Sequence, residues 1–370
     1  MNYSDKKILY LFGEGRIKRL NNQNNSSDEF FYGFNTVKKH FQNTEIIEMN
    51  PNYQKPIMNL IDKVLRKISN FPFYLSHIIT FKNQKKVFNS DVILATNDRV
   101  GVSAVLLVLI SKLFRKKKFL VVVMGMLSKY DKRTRNILDK LFISIFLRSV
   151  DHFFFLGKPE AKKAGAIFPL YKEKFHFLPF CINERFWESK ENLKIKDKEY
   201  IAFVGNDGNR EFNLAINIAK SLPEQKFIFV TQKINSDDIP ENVTMINGSW
   251  NDETISDAEI REIYEKSRLT IVPLKNSIQP SGQSVTLQSL SVGTPVIITK
   301  TDGFWDESKY INNENIIFLY DNSLENWTKK IEDIYNNEKL LDNISIKGSG
   351  LVKKEYKQEN FDKNLISFLN

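Results

Sequence analysis

Residues 269–300 read LTIVPLKNSIQPSGQSVTLQSLSVGTPVIITK. The opening LTIVPL (269–274) is an apolar run of strand composition, and PVIITK (295–300) is another. Between them Val285, Leu287, Leu290 and Val292 mark a helix over 282–292. Ser281 is placed to cap its start, and Gly293-Thr294-Pro295 is a clean stop. A strand, a helix and a second strand in one short span form a βαβ unit with parallel strands. Ser284, Gln288 and Ser291 fall at i, i+4 and i+7, so the helix carries one polar stripe among apolar residues. That stripe needs a partner, either water or a ligand.

The same alternation runs outward in both directions. KILYLF (7–12), EIIEM (45–49), DVILAT (91–96), FLVVVM (119–124) and HFFFLG (152–157) are strand candidates, with helical patterns such as EFFYGFNTVKKHF and VSAVLLVLISKLF between them. YIAFVG (200–205), KFIFVT (226–231), VTMING (243–248) and NIIFLY (315–320) continue the series, separated by NLAINIAKSL and DAEIREIYEKS. Continuous apolar strands alternating with helices imply parallel sheets covered on both faces. The expected fold class is α/β, with two doubly wound Rossmann-like domains. Segment 180–198 is charged and poorly periodic and reads as the linker. The expected division is 1–188, 189–350 and a C-terminal helix in 351–370 that packs back on the first domain.

Composition narrows the function classes. A chain of 370 residues with 42% hydrophobic content has enough material for two cores. Its single cysteine, Cys181, allows no internal disulfide and suits a reducing compartment. The start MNYSDKKILYLFG reads as a first strand rather than a signal peptide, and Val102–Ile110 is too short to span a bilayer. The expected location is the cytoplasm, peripheral at most to the inner face of the membrane. Net charge is +10, but residues 1–190 hold 33 Lys+Arg against 16 Asp+Glu, a balance of +17 that leaves −7 for the rest. Nucleic acid is not expected as a partner, since no RNP-like, KH-like or helix-turn-helix pattern accompanies the charge. SKLFRKKKFL, with Arg115, Lys116, Lys117 and Lys118 in a row, and the apolar TRNILDKLFISIFLRSV point instead to an anionic membrane surface or to a solvated turn beside a buried helix.

Two corners carry the chemistry. Ser281, Gly282, Gln283 and Ser284 present backbone amides at the positive end of a helix dipole, which suits a phosphate. Gly205, Asn206, Asp207 and Gly208 turn out of a strand, and Arg210 follows with a planar, permanently charged fork. Lys275 stands in reserve, and Trp250, after a strand in NGSWNDE, serves equally against a base or in a core or lid role. In the first half, Gly13 and Gly15 follow the first strand and Asn97 and Asp98 follow DVILAT, where ligands of doubly wound sheets bind. Asp98 serves equally as a helix cap. The four histidines are scattered, no HExxH or cysteine cluster occurs, and neither GxSxG nor a Walker loop is present, so no metal is expected.

The second half resembles the donor domain of retaining GT-B glycosyltransferases of family four, the glycosyl transferases group 1 type. The resemblance rests on Gln288-Ser-Leu-Ser-Val-Gly293-Thr-Pro295-Val-Ile in the register of that family's late glutamate motif, and on the acidic turn TDGFWDE (301–307). KFHFLPFCINERFWE (174–188) is similar to its hinge, with Pro179, Ile182, Asn183 and Phe186 in step. The implied arrangement is two domains facing across a cleft. The implied substrate is a UDP- or GDP-linked sugar, with a saccharide or lipid-linked acceptor and no other cofactor, in surface polysaccharide assembly. By the same resemblance Gln288 would hold the ribose, Arg210 and the 282–284 amides the diphosphate, and Gln283 would stand by the transferred sugar, while Asp98, by its place after DVILAT, is the candidate on the acceptor side. The departures are specific. Gln288 replaces the second motif glutamate, Pro280 stands at the first, Asn206 replaces an arginine, and VVVMGMLSKY offers only Gly125 where the family has a histidine. A nucleotide-sugar epimerase of the same fold, or a non-catalytic nucleotide-sugar binder, is the alternative.

Overall fold

The computed structural model describes residues 5–21, 26–53, 56–131, 136–191, 193–235, 239–248 and 254–370. It divides into two compact units: one of residues 1–21, 30–178 and 362–370, the other of 22–29 and 179–361.

The first unit holds a six-stranded parallel sheet of β1 (Ile8–Phe12), β2 (Thr44–Glu48), β3 (Val92–Ala95), β4 (Lys118–Val123), β5 (His152–Phe155) and β6 (Phe175–Phe177), in the order β2-β1-β3-β4-β5-β6. Its helices are α1 (Arg16–Asn21), α2 (Phe34–His40), α3 (Pro56–Ser69), α4 (Phe81–Asn89), α5 (Asp98–Phe114), α6 (Ile137–Ser149) and α7 (Lys158–Ile167). Every residue of β1 and β3 is buried, as strands sandwiched between helices must be. Two features differ from the sequence reading. EFFYGFNTVKKHF breaks into a 3-10 turn at Glu29–Phe31 and α2, because Gly33 takes a left-handed φ of 77° between them. FHF (175–177), absorbed above into the hinge, is the edge strand β6.

The second unit repeats the plan with β7 (Tyr200–Val204), β8 (Lys226–Val230), β9 (Val243–Ile246), β10 (Ser267–Val272), β11 (Val296–Thr299) and β12 (Ile317–Leu319), ordered β12-β11-β10-β7-β8-β9 and parallel. Its helices are α8 (Phe212–Ser221), α9 (Asp257–Lys266), α10 (Gln283–Ser291), α11 (Leu324–Tyr335) and α12 (Glu338–Glu355). The last helix, α13 (Gln358–Leu369), has residues 362–370 within the first unit, where Phe368 packs edge-on to Phe154 at 4.9 Å. Strands expected from 269–300 are β10 and β11, paired in parallel, and Gly293 ends α10 at φ 79°.

Segment 180–198 is not an exposed linker. Cys181, Ile182, Trp187 and Ile195 are buried in the second unit, and so is Lys198, whose Nζ donates to Thr294 Oγ1 at 3.0 Å, while most of the other charged residues face outward. Sparse apolar positions without period conceal a segment held by a few large side chains.

Candidate functional site

In the second unit the two phosphate-suited corners are joined. β7 ends at Gly205, whose φ of 148° a side chain rarely adopts, and the chain turns through Asn206–Asn209 to Arg210. Backbone bonds then staple this turn to the loop after β10: Lys275 N donates to Asn209 O at 2.8 Å and Glu211 N to Pro273 O at 3.0 Å. Asn209 Nδ2 adds a bond to Ser281 Oγ at 2.7 Å. Ser281 is therefore not the cap of α10. The N-cap is Gly282, in left-handed conformation and without a side-chain cap, so the first-turn amides meet no capping oxygen.

Arg210 lies between the two glycines. A Cβ at Gly205 would sit 2.5 Å from its Nε, and one at Gly282 would sit 3.5 Å from its Nη1. The residue is 2% exposed, yet Nε and Nη1 make no hydrogen bond with any described residue; its ion pair among the described residues is with the half-exposed Asp207 carboxylate, 3.3 Å from Nη1. Burial lowers its pKa, opposed by Asp207 and the Tyr264 phenol. A buried guanidinium with so little compensation costs several kcal/mol, which an anion against it would return.

Of the polar stripe, Gln288 meets the carboxylate of Glu29. Gln288 Nε2 donates to Glu29 Oε1 at 3.0 Å, and Trp187 Nε1 donates to the same oxygen at 2.9 Å. Ser27 Oγ is hydrogen-bonded to Glu29 Oε2, and Ser27 N donates to Asp257 Oδ2 at the start of α9. Glu29 is 2% exposed. Burial, and after it the charge of Asp257, push its pKa up to about 8 against the donors from Gln288 and Trp187. Sequence reasoning missed this residue: nothing marks a glutamate after an Asn-rich stretch as the partner of one 259 positions on. Gln288 Oε1 accepts from no described residue, which leaves it for a hydroxyl.

Of the other expected donor residues, Asn206 is committed to the fold. Its Oδ1 accepts from Thr231 Oγ1 and Gln232 N, and its Nδ2 donates to Gly248 O, tying the ends of β7, β8 and β9. Gln283 is buried, Ser284 half-buried and Lys275 exposed. Trp250 lies outside the described residues.

The first unit has its own pocket, of about 440 Å³, at the carboxyl ends of β3 and β4. Asn97, Asp98 and Gly125 line it together with Arg99, Lys129 and Tyr130. Gly13 stands beside them, since a Cβ there would be 3.3 Å from Asn97 Nδ2. Gly15, at φ 85°, turns the chain into α1 and is not among the lining residues. Asn97 rather than Asp98 caps α5, its Oδ1 accepting from Val100 N at 2.9 Å. Asp98 Oδ2 instead accepts from Met124 N at 2.8 Å, and Glu160 Oε1 accepts from Gly125 N at 2.6 Å. The other oxygen of each carboxyl has no hydrogen-bond partner among the described residues. Burial raises Asp98 to about 7; burial and then Asp98 raise Glu160 to about 8. A carboxyl titrating near neutrality in a pocket suits proton transfer.

Two histidines scattered in sequence meet on adjacent strands, His152 Nδ1 lying 2.9 Å from His176 Nε2. Among the described residues no group of three or more His, Cys, Asp or Glu is arranged to hold a metal. The basic run lies at the opposite, amino end of the first sheet and is largely engaged locally. Arg115 pairs with Asp91, Lys117 is buried with Nζ donating to Val87 O, and Lys118 donates to Phe368 O.

No protein-family model matches the sequence, and no curated protein is similar to it. Solved structures are similar in fold. HepE of Anabaena, in complex with UDP, superposes at TM-score 0.65 with 10% identity over 98% of this chain and 99% of that one. Sucrose-phosphate synthase of Thermosynechococcus elongatus gives 0.68 with 13% identity over 98% of both chains. A putative UDP-N-acetylglucosamine 2-epimerase of Listeria monocytogenes gives 0.55 with 12% identity over 99% and 96%. The chain has the GT-B fold of these glycosyltransferases, two parallel six-stranded sheets with flanking helices.

Proposed function

We propose that this protein is a glycosyltransferase of the family-four type. It moves a sugar, with retention and without a metal, from a UDP- or GDP-linked donor to a hydroxyl of a saccharide or lipid-linked acceptor in cell-surface polysaccharide assembly. The observation that carries this reading is the buried, under-compensated Arg210 held between Gly205 and Gly282 beside the uncapped start of α10. Such a site suits a diphosphate, and it suits best the diphosphate that leaves, whose charge grows as the bond to the sugar breaks. The amide oxygen of Gln288 accepts a ribose hydroxyl in place of the carboxylate the family uses. Asp98, in the pocket of the first unit, receives the acceptor's proton. HepE and sucrose-phosphate synthase share the fold, and the former binds UDP, which supports a uridine nucleotide as donor.

The second reading is a nucleotide-sugar epimerase, favoured by the Listeria neighbour. One experiment separates the two. A thermal-shift panel of UDP- and GDP-sugars first identifies the donor, because a ligand of the native state raises stability by mass action. The stabilising sugar is then incubated with protein and acceptors. Release of nucleoside diphosphate together with a glycoside of unchanged anomeric configuration supports transfer, and an isomerised nucleotide sugar without release supports the epimerase. No stabilisation by any member of the panel would refute both.

A further inference from the structure

The first unit carries an apolar face that no described residue covers. On α3, Ile57, Leu60, Val64 and Ile68 follow one another at i, i+3, i+7 and i+11, so they stand along one side of the helix. They are exposed, Ile57 at 73% and Leu60 at 63%. The start of α6 continues the face with Ile137, 81% exposed, and Leu141. The two helices are tied together here, for Asn70 Nδ2 donates to Asp139 Oδ2 at 3.1 Å and Asn136 Nδ2 to Ile68 O at 3.1 Å.

The charges sort in a way that identifies the occupant. Each helix has one acid, Asp62 in α3 and Asp139 in α6, and both are buried. Asp62 is consumed by the amides of Leu75 and Ser76. Lys63, Lys67 and Lys140 are exposed around the apolar side chains. Apolar side chains flanked by cations, with the single acid of each helix turned inward, match the boundary between lipid tails and anionic head groups. A second copy fits worse, since an isologous contact would bring these lysines against themselves with no exposed acid on either helix to pair with them.

We infer that the α3–α6 face docks this protein on an anionic lipid bilayer, with Leu60, Val64 and Ile137 entering the head-group boundary. The contact is interfacial, as no helix among the described residues is long and apolar enough to cross a membrane. The pocket of the first unit borders the face: Asn70 and Phe71, which follow α3, line it, and so do Lys129 and Tyr130, which precede α6. Delivery of a lipid-linked acceptor to that pocket rests on the transferase reading; the docking does not.

Co-sedimentation of the full chain with vesicles tests this. Binding is expected to phosphatidylglycerol–phosphatidylcholine vesicles at low salt, weaker to phosphatidylcholine alone, and with a remnant that survives raised salt because apolar insertion is not screened. Leu60→Asp with Val64→Asp, both at exposed positions, should lower the affinity at least about tenfold, while Lys116→Ala in the basic run should leave it unchanged. Far-ultraviolet circular dichroism and an unaltered melting temperature establish that the double variant is folded. Absence of binding to anionic vesicles at low salt, or an unchanged affinity in the double variant, would overturn the inference. So would a dimer in analytical ultracentrifugation that the same double variant dissolves, which would assign the face to a second copy. Nucleotide binding is read separately, so loss of one result leaves the other standing.

Discussion

Glu29 gives the sharpest test of the second unit, because its two effects on stability run in opposite directions and separate with pH. In the folded protein its carboxyl ionises at about 8 against an ordinary value of 4.5, burial being the main cause. An acid raised in this way contributes its full stability below 4.5 and loses it as pH climbs towards 8, at up to about 1.4 kcal/mol per pH unit. The loss across that window is on the order of 4 kcal/mol. Against it stand the bonds from Gln288 Nε2, Trp187 Nε1 and Ser27 Oγ. Glu29→Ala strands the amide and weakens the indole contact, at about 1–3 kcal/mol for each buried donor, and adds a small cavity. At pH 5 the alanine variant should therefore be less stable by about 3–5 kcal/mol. At pH 8 the relief of ionisation offsets most of that, and the two proteins should nearly coincide. Glu29→Gln keeps the shape and an acceptor but cannot ionise, so it should match the parent near pH 5 and exceed it by several kcal/mol at pH 8. Urea unfolding followed by tryptophan fluorescence, at both pH values, measures these differences. A difference between parent and Glu29→Gln that stays constant with pH would show that the carboxyl ionises normally and refute the reasoning.

Three further outcomes are expected. Gly205→Ala puts a Cβ 2.5 Å from Arg210 Nε on a backbone of φ 148°, so thermal unfolding should show a loss of about 2–4 kcal/mol, and calorimetry weakened binding of the donor nucleotide. Arg210→Ala should lower kcat as well as raise KM, since charge on the leaving diphosphate grows in the transition state; a change in KM alone in steady-state kinetics would assign Arg210 to ground-state binding. If Asp98 takes the acceptor's proton it must be ionised, so kcat should rise with pH through about 7, and Asp98→Asn should remove that limb of the profile along with most of the activity.

How much of this was legible depends on whether the determinant was local. The strands other than β6 were, because each is a short apolar run, most of them with helices as neighbours in sequence, and pairing in parallel follows from that alternation. The corners were legible for the same reason: Gly205 and Gly282 mark backbone that only glycine adopts easily, and Arg210 lies within the turn that Gly205 opens. What escaped was pairing over distance. Gln288 declared by its position on an apolar helix that it needed a partner, but its own neighbours could not say that the partner is Glu29. The histidines His152 and His176 met only because β5 and β6 are adjacent, and β6 was hidden inside a segment read as hinge. The basic run left two readings open, an anionic surface or a solvated turn, and its own sequence could not choose between them. Charge density along the chain is local information, whereas what the charge faces is not: Asp91 and carbonyls of other elements absorb Arg115, Lys117 and Lys118. Exposed cations also stand on α3 and α6, Lys63 and Lys67 on the one and Lys140 on the other, beside apolar side chains that no described residue covers. A polar residue without a partner in its own segment is therefore a question that sequence can pose, and the answer comes from the far segment that the fold brings to it.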